Sequence, residues 1–256
     1  MVLAPRVLLP LVAILALLGI WELYVLISGV NPLVLPSPID VGKALWNDRG
    51  TLWHNLKPTA AEICLGVVVA TAFALLVAVA LHFWRVAAQA LYPLLVATQT
   101  IPVVVLAPLL VLWLGFGLLP KLVVIALVCF FPIVVTTLSA LETVDPDLLK
   151  LLRSFGAGRW QTFRRVELPS ALPGLFAGAK VAVVFSVIGA VFGEQSGSSS
   201  GLGYLLTVTD ANLELSEAFA TVFVLAALAI LLFALLSLAE RRALPWVHRH
   251  RQPDTR

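Results

Sequence analysis

Long apolar runs, each about as long as a bilayer is thick, alternate with short polar segments along most of the chain. A helix needs about 20 mostly apolar residues to cross the hydrocarbon. Runs of that kind occupy residues 7–28, 63–84, 91–115, 119–140, 173–195 and 218–239. The third is interrupted by Pro102 and Pro108. The pattern predicts an all-α polytopic membrane protein with six transmembrane helices, forming a single transmembrane domain over residues 1–256. The first run follows Arg6 like the apolar region of a signal peptide, but it is too long and no small-residue cleavage site follows it. It is read as a span.

Two connections are long enough to hold structure. Residues 31–62 open with the turn-rich Leu35-Pro36-Ser37-Pro38. Residues 141–172 are more informative. Asp145-Pro146 reads as an N-cap followed by proline at the first helical position, and Gly156 as a stop. Between them Leu148, Leu151, Leu152 and Phe155 fall at i, i+3, i+4 and i+7, one apolar stripe, with Asp147, Lys150, Arg153 and Ser154 on the other side. A second short segment, 159–167, carries Trp160, Phe163, Arg164 and Arg165, and Leu168-Pro169 and Leu172-Pro173 are expected to end it. Such a helix either lies on anionic lipid or inserts into a partner's groove.

Composition narrows the setting. The chain is 61% hydrophobic and 12% charged, with mean hydropathy +1.02. Soluble domains are roughly 25% charged. Lipid is therefore the solvent for most of it. The net charge of +3 matters less than where the cations sit. With the N-terminus in the cytoplasm, the inside holds Arg6, Arg85, Lys150, Arg153, Arg159, Arg164, Arg165, Arg241, Arg242, Arg249, Arg251 and Arg256. The outside keeps Lys43, Arg49, Lys57 and Lys121, and Lys180 lies in a span near its cytoplasmic end. Both termini are thus expected inside. Cys64 and Cys129 sit far apart in apolar runs, so neither a disulfide nor a metal site is expected.

The stretch from Arg153 through Gly156, Trp160 and Val166 to Leu168-Pro169 resembles the EAA loop of ABC importer permeases. That signature is Glu-Ala-Ala, three residues, Gly, nine residues, a branched aliphatic, one residue, then Leu-Pro. Gly156, Val166, Leu168 and Pro169 match its spacing, while Lys150-Leu151-Leu152 stands where Glu-Ala-Ala is usual. Further likenesses run in order along the chain. They are Leu35-Pro36-Ser37-Pro38, Ile101-Pro102 to Ala107-Pro108-Leu109, Trp113-Leu114-Gly115-Phe116-Gly117, Ala171-Leu172-Pro173-Gly174 and Ser200-Gly201-Leu202-Gly203. They are most similar to the branch holding taurine, nitrate, alkanesulfonate and hydroxymethylpyrimidine permeases.

The resemblance implies a type I importer permease in the bacterial cytoplasmic (inner) membrane, paired with a second permease copy as a homodimer. Two ABC ATPase subunits and a periplasmic or lipoprotein substrate-binding protein would be its partners, with membrane lipid and without nucleic acid. It also gives Leu148, Leu152, Arg153, Phe155, Gly156, Ala157, Arg159, Trp160 and Phe163 as the ATPase-coupling residues. The chain has no Gly-x-x-x-x-Gly-Lys-Ser/Thr phosphate cradle, so ATP hydrolysis falls to another polypeptide and no cofactor is expected.

Candidates for the solute path are fewer. Thr98, Gln99 and Thr100 precede Pro102, where they either satisfy freed backbone acceptors or meet solute. Residues 174–197 carry Gly174, Gly178, Ala182, Ser186, Gly189, Gly193 and Gly197, a small-residue stripe suited to close helix packing within the chain or against a dimer mate. Glu194 and Gln195 end that span. A carboxylate at membrane depth faces a cavity or a partner, whereas one this close to the external end, with 197–200 beyond it, can also be simply solvated. Glu22, near the outer end of the first span, reads as a packing or interface residue. The segment 185–194 resembles hydroxymethylpyrimidine and riboflavin-type permeases, which makes a neutral heterocycle the expected cargo, with sulfonate, taurine or nitrate as the alternative. An ion-coupled carrier would want ionisable groups near mid-membrane or inverted repeats. An intramembrane protease would want a nucleophile and base at one depth, and His54, His82, His248 and His250 lie at span ends, in a loop or in the tail.

Overall fold

The computed structural model describes residues 4–249, and every regular element among them is helical. Arg251, Arg256 and His250 lie outside the described residues, as do the side chains of Arg6, Arg85, His248 and Arg249. The chain runs through α1 (Ala4–Ser28), α2 (Pro38–Asn47), α3 (Arg49–Phe83), α4 (Arg85–Thr98), α5 (Val103–Leu114), α6 (Leu118–Glu142), α7 (Pro146–Ser154), α8 (Arg159–Thr162), a π-turn (Phe163–Glu167), α9 (Leu168–Gly197), α10 (Leu202–Ala211), α11 (Leu215–Ala243) and α12 (Pro245–Arg249). Five helical stretches are long and apolar enough to cross a membrane, and α4 with α5 make a sixth if taken as one bent span.

The elements depart from the apolar runs in three places. Helix α3 has 35 residues, about 52 Å at 1.5 Å per residue, so it outruns the bilayer and absorbs much of the 31–62 connection. The third run is two helices bent by 96°. Pro102 makes that break, as its extended backbone caps α5, whereas Pro108 stays inside α5. Pro169 and Pro173 do not stop the helix as expected. The π-turn donates Leu168 N–H to Phe163 O, five residues back, and Pro169 falls in the first turn of α9, where a missing N–H costs little.

The core is a three-helix seam. Ile63, Ala70 and Ala74 of α3, Ile125, Cys129 and Ile133 of α6, and Ala182 and Ala190 of α9 form one buried cluster. Lipid tails are as apolar as leucine, so close backbone approach must hold such helices together. The α9 stripe supplies it within the chain: a Cβ on Gly178 would come within 2.8 Å of Ile133 Cα, and one on Gly189 within 3.1 Å of Ile125 Cα. The stripe packs on α6 and is not left free for a dimer mate. Side chains such as Val68, Phe73, Leu76, Leu112 and Ile230 point outward, a surface far too apolar for water.

At the start of α2, Ser37 caps the helix by accepting from Asp40 N–H at 3.1 Å. Hydrogen bonds from Lys43 and Ser37 hold the Asp40 carboxyl below the usual carboxylate range. Cys64 and Cys129 are both free thiols.

Candidate functional site: two ends and a broken helix

Helix α7 is built by local signals. Asp145 accepts from Asp147 N–H at 2.8 Å, and Pro146 follows it. The helix closes on Gly156 at φ +78°. There Ala157 N–H reaches Leu152 O at 3.0 Å and Gly156 N–H reaches Arg153 O at 2.9 Å, the paired bonds of a Schellman stop. A side chain at Gly156 would strain that left-handed turn.

No residue of α7 is buried. Leu148, Leu151 and Phe155 are 41%, 53% and 80% exposed, and Trp160 is 62% exposed. Leu152 and Leu149 turn inward and are half-buried. Phe163 is buried, its ring 5.0 Å from that of Phe83. Arg159 donates to Phe83 O at 3.0 Å and lies 4.8 Å from the Phe83 ring, placing a cation on the C-terminal carbonyls of α3. His82 meets Glu167 at 2.9 Å. Lys180 and Glu240 join α9 to α11 at 2.8 Å. Behind α7 lies a cavity of about 780 Å³ lined in part by His82, Glu142, Pro146, Arg153, Arg159 and Glu167.

The opposite end, carrying α10, is closed. Glu194 is fully buried and accepts from Thr59 Oγ1 at 2.6 Å and from Gly203 N–H at 2.5 Å. The same Thr59 hydroxyl oxygen accepts from Leu202 N–H at 2.8 Å, and Asn55 Oδ1 accepts from Gly201 N–H at 2.9 Å. Gly201 has φ +113°, and any Cβ there would collide with the Glu194 carboxylate. Beside this clamp Lys121 pairs with Glu62 and donates to Ser198 Oγ at 3.0 Å. A buried charge pair needs such extra bonds to offset desolvation.

This network reassigns two residues. Lys121, counted among the outside cations, is buried in α6, and Glu62, placed at the end of a connection, sits inside α3. Each is a lone charge in an apolar stretch, a signal that demands a partner. The pairing itself spans 59 residues and leaves no local pattern.

The remaining path candidates scatter. Ser186 is buried and donates to Val183 O at 2.6 Å. Gln195 borders a cavity of about 490 Å³ with Thr207 and Asp210. At the α4–α5 break Thr98 donates to Leu95 O at 2.7 Å and Thr100 to Ala97 O at 2.8 Å. Both hydroxyls are spent on backbone carbonyls at the end of α4, and Ala97 O also accepts from Thr100 N–H at 3.1 Å, while Gln99 stays exposed beside them.

Comparison with known proteins adds the following. Residues 63–249 match the family described as binding-protein-dependent transport system inner membrane component. A formylaminopyrimidine transport permease from Halalkalibacterium halodurans is 37% identical over 239 residues, covering 93% of this chain and 95% of the relative. A riboflavin transport system permease from Chloroflexus aurantiacus is 36% identical over 237 residues, covering 92% and 88%. Among solved structures, an inward-facing methionine ABC transporter matches with TM-score 0.60 and 23% identity over 78% of this chain and 96% of that one.

Proposed function

The chain belongs to the binding-protein-dependent transport inner-membrane component family, as the permease subunit of an ABC importer, and from that premise we propose that its α7 end is the cytoplasmic docking surface for the ATPase subunits. Hydrolysis belongs to that separate ATPase. The observation that carries the docking assignment is the exposed apolar ridge of Leu148, Leu151 and the C-cap Phe155 on a helix capped at both ends, with Trp160 of α8 exposed just past its stop. A rigid apolar ridge fits the helix-in-groove mode of recognition. Phe163 and Arg159 anchor it from beneath to the end of α3, and Gly156 sets its angle.

This orientation puts both termini in the cytoplasm and the α10 end outside, where a substrate-binding protein delivers solute. Two copies of the chain pair around the pathway, and closure of the ATPase dimer draws their α7 segments together. Thr98, Gln99 and Thr100 meet the solute, Gln99 being the exposed amide of the three. Glu194 acts through the packing of the α10 end, Ser186 through the packing of mid-α9, and Gln195 at the surface. A neutral pyrimidine or riboflavin-type heterocycle is the cargo; both heterocycle permeases above align along nearly the whole chain.

The test is co-purification in detergent with the ATPase encoded beside it, comparing wild type with a chain whose residues 146–163 are replaced by a flexible linker of equal length. Recovery of the ATPase with wild type and its loss with the linker is expected. Equal recovery with both would refute docking through α7.

A further inference from the structure

Between α4 and α6 runs a groove that none of the assignments above uses. A cavity of about 510 Å³ there is lined by Gln89, Tyr92 and Pro93 of α4 and by Val135, Ser139 and Glu142 of α6. Ala88 and Glu142 also border the 780 Å³ cavity behind α7, so the two adjoin. Gln89, Tyr92 and Gln99 are separated by three and seven residues, which sets them on one face leading up to the 98–102 break. Ser139 and Glu142 stand one turn apart on the facing helix. All five are exposed.

Polar side chains on a spanning helix are costly against lipid and border water or protein instead. The outward face of α3 shows the contrast, as Val68, Val69, Phe73 and Leu76 are all apolar there. We propose that the α4–α6 groove is this subunit's share of the inward solute route, with Gln89, Tyr92 and Ser139 touching the solute. This rests on the importer and heterocycle reading and names the side chains that would carry it. The chemistry fits a flat neutral heterocycle. Tyr92 offers a ring face, Gln89 an amide that both donates and accepts, and Ser139 a hydroxyl that rotates to suit. Glu142, at the join of the two cavities, marks where the route opens toward the α7 end.

The test uses cysteine accessibility in inside-out vesicles holding the permease with its ATPase. Cys64, which is exposed, is first replaced by Ala, and Cys129 is buried and stays. Gln89→Cys, Ser139→Cys and, on the lipid-facing side, Leu76→Cys are then treated with a charged, membrane-impermeant methanethiosulfonate. Gln89→Cys and Ser139→Cys are expected to react about tenfold or more faster than Leu76→Cys, because a charged reagent follows water and avoids hydrocarbon. Excess hydroxymethylpyrimidine or riboflavin is expected to slow them. Reaction at the Leu76→Cys rate, with the ATPase still attached, overturns the groove while leaving the importer reading in place. Fast reaction that neither compound slows overturns the solute contacts. Loss of the ATPase from the cysteine-replaced parent would instead count against the docking reading.

Discussion

The two ends of the molecule solve opposite problems with similar material. At the α10 end five polar side chains, Asn55, Thr59, Glu62, Lys121 and Glu194, are buried and spend their hydrogen bonds inside the chain. At the α7 end the polar groups lie at the rim of a cavity, and the large apolar side chains face outward. Both ends expose apolar side chains, Trp46, Trp53 and Leu213 among them at the first. Only the first holds a buried polar network, and only the second presents its apolar ridge on a short helix with no buried residue. The first end behaves as a fixed joint among α3, α6, α9 and α10. The second is the end where the docking proposed above would cover exposed apolar side chains.

Cutting the closed end should produce the largest loss. Lys121→Met leaves Glu62 buried without its cation, and breaking such a pair costs about 3–5 kcal/mol. The expected result is a marked fall in thermal stability in detergent. Adding Glu62→Leu removes the stranded charge as well and should restore most of the loss, since a buried pair replaced by apolar groups is often neutral. If Lys121→Met unfolds at the wild-type temperature, the network does not hold the α10 end together.

The two ends also differ in how far the sequence betrays them. Helix α7 was legible because everything that shapes it is local: Asp145 and Pro146 start it, Gly156 stops it, and the apolar spacing lies between. The clamp at the α10 end was not. Thr59 and Glu194 are 135 residues apart, and nothing around Thr59 distinguishes it from other helical threonines. Glu194 was visible as a carboxylate in a span, but its partners were not. Two of those partners are backbone N–H groups of Gly203 and, through Thr59, Leu202, which no side-chain pattern reports. The long apolar runs located the spans, yet helix ends were misjudged where lipid stops and helix continues, as in α3, or where a π-turn carries a helix past proline, as at Phe163–Glu167.

A smaller effect is expected where the open end turns. Gly156→Val forces a β-branched residue into φ +78°, a strain of about 1–3 kcal/mol that the α7 region relieves by shifting. Global stability should fall little, because no packed core lies behind the turn. Uptake should fall sharply while the protein stays inserted, as the ridge would no longer sit at its angle. Normal uptake by Gly156→Val, measured beside membrane insertion, would show that α7 needs no fixed geometry to couple.

The smallest effect on stability is also the sharpest test of the contrast between the ends. Leu148→Ser and Phe155→Ser together remove two exposed side chains, 41% and 80% accessible, from a helix with no buried residue. Exposed substitutions of this kind change stability by about 0.5 kcal/mol or less, and removing apolar surface from an open face improves solubility. In a finished protein surface that would be the whole consequence. On an interface, truncating a hot-spot side chain costs about 2 kcal/mol or more of binding, so ATPase retention in detergent should drop at least tenfold with the melting temperature unchanged. A variant that melts early would mean the ridge already packs within its own subunit. A variant that melts normally and still holds the ATPase would mean that coupling enters through a surface other than α7.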